Sequence, residues 1–136
     1  MNLTFIPMST KWTHIHIRKK EINEVLKKYD ANIAVALSTD AHVQRLNGTY
    51  RKKDKPTNVL SFPNGIDGGD VILAFETLVR EAREQDKPLR DHLEHLIVHG
   101  CLHIIGYDHM NDKDAEDMEK LETKLCKKLG FNPYES

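Results

Sequence analysis

Hydrophobic positions recur along this chain with two different periods, and the change of period near residue 75 separates a strand-bearing first part from a helical remainder. Leu3 and Phe5 alternate with polar neighbours, and Ala31 to Leu37 carries Ile33, Val35 and Leu37 at period two, so both segments are predicted strands. Between them Ile15, Ile22, Val25, Leu26 and Tyr29 return at helical spacings, with Arg18, Lys19, Lys20, Lys27 and Lys28 on the other faces, the pattern of a surface helix. Thr39 or Asp40 can cap a short helix through Val43 and Leu46, which Asn47-Gly48 is expected to end. Asn47 to Asn58 then reads as a polar, basic connection. Val59-Leu60-Ser61-Phe62 before Pro63 is a predicted strand, and Asp67-Gly68-Gly69 introduces another over Asp70 to Phe75; the two form either a hairpin or neighbouring strands.

From Glu76 onward the period is helical: Leu78, Val79 and Ala82, then Leu93, Leu96, Ile97 and Leu102, then Met118, Leu121, Leu125 and Leu129. Three helices are predicted there, the middle one capped by Asp86 or Asp91 and stopped by Gly106, the last stopped by Gly130 before Phe131. Strands interleaved with helices, then a helical C-terminal half, indicate an α+β (α/β-type) fold, a small sheet of about four strands covered by helices. A chain of 136 residues is expected to form one domain, 1–136.

Composition narrows the partners. Twenty Lys and Arg oppose twenty-one Asp and Glu, so an anionic partner must meet a local basic patch, because the field of the whole protein has no preferred sign. Cys101 and Cys126 are too few for a disulfide scaffold and read as thiols. The start, Met1 to Pro7, lacks a basic segment followed by a long apolar one, and the longest apolar run, Val71 to Phe75, is far short of a membrane span. A cytoplasmic protein with no membrane partner is expected.

Eight histidines change the picture, because four fall between His92 and His103 with His109 close behind. On a helix His99 and His103 lie about 40° apart in azimuth and about 6 Å apart along the axis, so both imidazoles can reach one ion. Gly106 can leave the helical conformation without a Cβ penalty, which lets the chain turn and return His109 to the same ion. Three nitrogens with a fourth position left for water is the arrangement of a catalytic zinc site, on a helix of the C-terminal half and the loop after it. His95 shares the stripe, but a straight helix puts it about 12 Å from His103, too far for both to bind one ion at about 2 Å. His95 and His92 are therefore expected to support or pack. Cys101 is turned about 200° from His99 and reads as core. His14, His16 and His42 receive no role.

The same spacing occurs in the long zinc-protease motif H-E-x-x-H-x-x-G-x-x-H, but the general base of that motif is Gly100 here, which disfavours proteolysis by that route. Arg51-Lys52-Lys53-Asp54-Lys55 instead places four cations within five residues ahead of the Val59 strand. Arg51 offers a planar fork for a phosphate and the lysines offer point charges for flanking phosphates, so this inventory suits phosphodiester cleavage better than amide cleavage. Only Tyr50 adjoins the run as an aromatic that could stack on a base, so no sequence readout of single strands is indicated.

Leu46-Asn47, Tyr50 to Asp54, Pro56-Thr57-Asn58-Val59-Leu60-Ser61-Phe62-Pro63, Gly69-Asp70-Val71, and His99-Gly100-Cys101-Leu102-His103 through Gly106-Tyr107-Asp108-His109 together resemble the YbeY family of bacterial endoribonucleases and rRNA maturation factors. The resemblance implies a small mixed sheet with helices, one zinc ion on His99, His103 and His109, and a functional arginine at Arg51. It also implies single-strand-specific RNA cleavage, maturation of the 16S rRNA 3' end, ribosome quality control with the small ribosomal subunit and its proteins as partners, and no DNA substrate. Asp108 or a backbone group is a candidate to orient a ligand imidazole. The alternatives are a ribosome-associated assembly factor with a mainly structural metal and, behind it, a metalloprotease. The chain departs from the family's usual pattern at Asn58, where Asp is usual. Asn keeps the shape but cannot ionise, so a turn-forming or hydrogen-bonding role survives there and a carboxylate role does not.

Overall fold

A computed structural model of the chain describes residues 1–51, 57–65, 68–106 and 112–134. The alternating segments form β1 (Asn2–Pro7) and β2 (Asn32–Ser38), and the second pair forms β3 (Val59–Pro63) and β4 (Gly68–Ala74). They join in one four-stranded sheet of order β1-β2-β4-β3. β1 pairs parallel with β2 and β2 parallel with β4, while β3 pairs antiparallel with β4, Val59 opposite Leu73 and Pro63 opposite Gly69. Of the two arrangements open to β3 and β4, the antiparallel pair is adopted. The helices are α1 (Lys19–Val25), α2 (Asp40–Arg51), α3 (Phe75–Glu84), α4 (Leu89–Ile105) and α5 (Asp112–Lys128), with a 3-10 turn at Thr10–Trp12. This is the α+β fold that the periodicity predicts.

Strand alternation decides which helix covers which face. Ile33, Val35 and Leu37 of β2 and Val71 and Leu73 of β4 point to one side, where they meet Ile22 and Leu26, Leu78, Ile97 and Leu102, and Met118 and Leu125 in the main core. Ile72, Ala74 and Leu60 point to the other side and pack on Val43 and Leu46 of α2. β4 is thus covered on both faces, which explains its continuous apolar run. None of the described helices is long and apolar enough to cross a membrane.

Several boundaries differ from the sequence expectation. α2 runs through Asn47-Gly48 to Arg51, because Asn47 is buried and Gly48 is not among the glycines with positive φ, so no left-handed turn forms there. Thr39 Oγ1 accepts from His42 N at 3.3 Å, whereas the Asp40 carboxylate leaves its own helix and accepts from Thr77 N at 2.9 Å and Thr77 Oγ1 at 2.8 Å, capping α3 instead. Neither Asp86 nor Asp91 caps α4: Pro88 stands at the cap with φ −58°, Asp86 has φ 53°, and Asp91 lies within the first turn, where its charge complements the helix dipole. Phe75 opens α3 and does not end β4, and the helix expected across Ile15 to Tyr29 is confined to Lys19–Val25.

One ion pair ties the segment before α1 to α4. Glu94 is fully buried, and its carboxylate accepts from Arg18 Nη2 at 2.6 Å, Arg18 Nε at 3.0 Å and the Arg18 backbone N at 3.0 Å. The charge has left water, and the guanidinium fork with the backbone donor replaces its hydration.

Candidate metal centre

α4 carries its functional side chains on the face beside β3, and Gly100 is what brings that face close. A Cβ at Gly100 would stand 2.9 Å from Val71 Cγ1 and 3.1 Å from Ser61 Oγ. The missing side chain lets α4 lie directly on the sheet, where Ser61 Oγ also donates to Gly100 O at 3.3 Å. A glutamate, the base of the protease motif, has no room at this position, so the absence of that base has a packing reason as well as a chemical one.

One residue before Gly100 and three after it, the half-buried His99 and His103 converge. Their Nε2 atoms are 3.0 Å apart and their ring planes cross at 81° with centroids 4.5 Å apart. Two bonds of 2.0–2.1 Å at a tetrahedral angle place donor nitrogens about 3.3 Å apart, so the observed spacing suits two ligands of one small cation. α4 is then stopped by Gly106, whose φ of 119° belongs to the left-handed region. His109, the third expected ligand, and Asp108 lie outside the described residues. Among the described residues no group of three or more His, Cys, Asp or Glu could hold a metal ion, which leaves the pair His99 and His103 as the part of the set that is placed.

What holds the pair was not read from the sequence. Glu122 of α5 is fully buried, and its Oε1 receives the proton on His99 Nδ1. That bond fixes His99 as the tautomer whose Nε2 presents a lone pair toward His103. Glu122 Oε2 is met by His95 Nε2 at 3.2 Å and by the Tyr134 hydroxyl. Burial pushes the Glu122 carboxyl upward, but the hydrogen bonds from His95 and His99 outweigh it and hold the group at about 2, an ionised carboxylate. The signal was present: Glu122 sits four residues after Met118 and three before Leu125, inside the apolar stripe of its helix. His95 thus bonds to the same carboxylate that meets His99. Cys101 is fully buried, its thiol pushed up to about 12 by desolvation, and it takes no part.

A cleft of about 250 Å³ opens between β3 and α4, lined by Val59, Ser61, Pro63, His99 and His103. Val59, the first residue of β3, lies in its wall. Arg51 is the last residue of α2, and Lys52, Lys53 and Lys55 lie outside the described residues.

Asn58 directly precedes Val59. Its amide donates to Glu81 Oε1 at 3.0 Å, and His92 Nε2 approaches the same oxygen at 3.0 Å. Burial raises the Glu81 carboxyl, and the bonds from His92 and Asn58 bring it below the usual range. An aspartate at position 58 would put a second carboxylate where this chain has a donor. Asn58→Asp is therefore expected to lose about 1–2 kcal/mol at pH 7 in denaturant titration. Because Glu81 is depressed in the folded state, its contribution is present above the unfolded carboxylate range and fades as pH falls; in the variant one of the two acids takes up a proton first, so the gap between the proteins should narrow below about pH 5.

Comparison with known proteins adds the following. The family model described as Endoribonuclease YbeY matches residues 8–130. Proteins named Endoribonuclease YbeY from Rhizobium etli and Agrobacterium fabrum are 46% and 44% identical over 131 and 126 residues, covering 89% and 85% of this chain and 76% and 75% of theirs. One of the same name from a Bradyrhizobium species is 51% identical over 77% of this chain and 70% of its own. The solution structure of a Thermotoga maritima protein superposes with a TM-score of 0.73 at 26% identity, over 93% of this chain and 88% of that one.

Proposed function

The chain belongs to the YbeY endoribonuclease family, and from that membership we propose that it is a zinc-dependent hydrolase that cuts single-stranded RNA. In the cytoplasm it would act in 16S rRNA 3' end maturation and ribosome quality control, with the small ribosomal subunit and its proteins as partners. The observation that supports a metal-dependent reading is the convergence of His99 Nε2 and His103 Nε2 at 3.0 Å in front of the buried carboxylate of Glu122. His109 would complete the ligand set. A zinc ion held there supplies Lewis-acid polarisation to the scissile phosphate or its attacking group.

The chain's own residues do the rest. Glu122 holds the His99 ring in one orientation and one tautomer, so no reorganisation is needed when charge develops. The cleft beside β3 offers the Ser61 hydroxyl and extended backbone to a strand lying across it. Arg51, eight residues before Val59 in the sequence, would carry the fork that neutralises charge growing on the phosphoryl oxygens. Gly100, pressed against Val71, supplies no base, so the proton of the nucleophile leaves by a route other than the residue after the first ligand. The same packing argues against peptide hydrolysis.

The test is cleavage of matched single-stranded and duplex RNA by the purified protein before and after a chelator. Cleavage of the single strand alone, lost on chelation and restored by zinc, is expected; metal removal that lowers only the melting temperature would favour a structural metal in an assembly factor. Arg51→Ala should cut the cleavage rate about 10²–10³-fold while bound zinc stays unchanged, as for loss of one donor to a developing oxyanion.

A further inference from the structure

The C-terminal segment reaches the metal site from behind. α5 ends at Lys128, and Gly130 at φ 99° turns the chain so that Phe131 N bonds back to Cys126 O at 3.2 Å and the Phe131 ring packs on the core. Lys87 Nζ then donates to Pro133 O, and Tyr134 N donates to Asn132 Oδ1 at 3.0 Å, holding the last turn in place. These contacts set the Tyr134 ring edge-on to His95 with centroids 5.3 Å apart and its hydroxyl on Glu122 Oε2.

Glu122 is a carboxylate with no access to water, so each oxygen must be satisfied by the protein. Oε1 takes the proton of His99 Nδ1. Oε2 takes His95 Nε2 and the Tyr134 hydroxyl. If Oε2 lost one of these donors, the carboxylate could rotate toward what remained, and His99 would lose the acceptor that fixes its ring. Tyr134 is itself 49% exposed, so the tail is a surface element whose hydroxyl, and not its burial, is what reaches the site.

We propose that Tyr134 is a positioning residue of the metal centre: by donating to Glu122 it orients His99 for the cation, and the C-terminal tail is thereby a working part of the site. This rests on the zinc-centre reading above. Because Tyr134 acts through Glu122, its effect exists only while that carboxylate is present.

The decisive experiment measures zinc affinity by competition with a chromophoric chelator for the parent, Tyr134→Phe, Glu122→Gln and the double variant, with the absorption spectrum of the cobalt-loaded forms as a second readout. Tyr134→Phe keeps the ring on His95 and removes only the hydroxyl. It is expected to weaken zinc binding about tenfold and Glu122→Gln by about 10–100-fold, the range for groups that orient a ligand. The double variant should bind no more weakly than Glu122→Gln alone, and the cobalt spectrum should shift in every variant. Parent-like affinity and spectrum in Tyr134→Phe would overturn the inference, as would effects that multiply in the double variant, which is what independent structural damage gives. Should Glu122→Gln fail to fold, Tyr134→Phe decides alone. A parent that binds no zinc would instead overturn the metal-centre reading, and the inference with it.

Discussion

His103→Ala is expected to abolish zinc binding and to reduce cleavage of single-stranded RNA by at least about 10³-fold, with the fold retained. The ring is half-buried on the cleft side of α4 and the residue lies outside the main core, so truncation leaves the packing of Ile97, Cys101 and Leu102 untouched. The loss is chemical: one of two convergent Nε2 donors disappears, and the several kcal/mol that a cation contributes to a charged transition state corresponds to about three orders of magnitude or more in rate. Circular dichroism of the metal-free variant should match that of the metal-free parent. His95→Ala, by contrast, removes a support and no ligand, so zinc binding should weaken without vanishing.

Glu94→Ala is expected to be the most damaging single change to stability. It strips the partner from Arg18, whose side chain is 21% exposed, and leaves both a guanidinium and a backbone N–H without their acceptor. Breaking a buried pair from one side costs about 3–5 kcal/mol, a large part of the ~5–15 kcal/mol that holds a domain folded. A melting temperature lowered by more than about 10 °C follows for a chain of this size. Arg18→Met with Glu94→Leu should recover part of the loss, since an apolar pair needs no desolvation, but not all of it, because the Arg18 N–H still lacks the carboxylate that it meets at 3.0 Å. A Glu94→Ala protein within about 1 kcal/mol of the parent would show that the pair is only a surface contact.

These two residues also show where legibility stops. His99 and His103 were readable because helical spacing is a local rule: positions four apart must share a face, whatever the rest of the chain does. Gly106 was readable for the same reason, as a left-handed stop. Four strands followed from two period-two segments and two short apolar runs bounded by turn residues, though the choice between hairpin and neighbouring strands needed the fold. Glu94 and Glu122 were visible only as acids inside apolar stripes; their partners, Arg18 at 76 residues' separation and His99 at 23, are chosen by tertiary packing that no local pattern encodes. Asn47-Gly48 misled because burial of Asn47 and continued helix outweigh the intrinsic preference of the pair for a turn, and Asp40 because its carboxylate found a better helix end in α3. Gly100 was legible as a missing base, while the contact with Val71 that demands glycine was not. The basic run by itself pointed to a phosphate and to Arg51 as a fork for it, while RNA as the substrate came from the resemblance.

The central claim is that His99, His103 and His109 together hold one zinc ion. Elemental mass spectrometry of the purified parent and of His109→Ala, both dialysed against the same zinc-buffered solution, tests it most directly. One zinc per chain in the parent and close to none in His109→Ala is the expected result. A parent without stoichiometric metal, or a His109→Ala protein that retains one zinc as tightly as the parent, would contradict it.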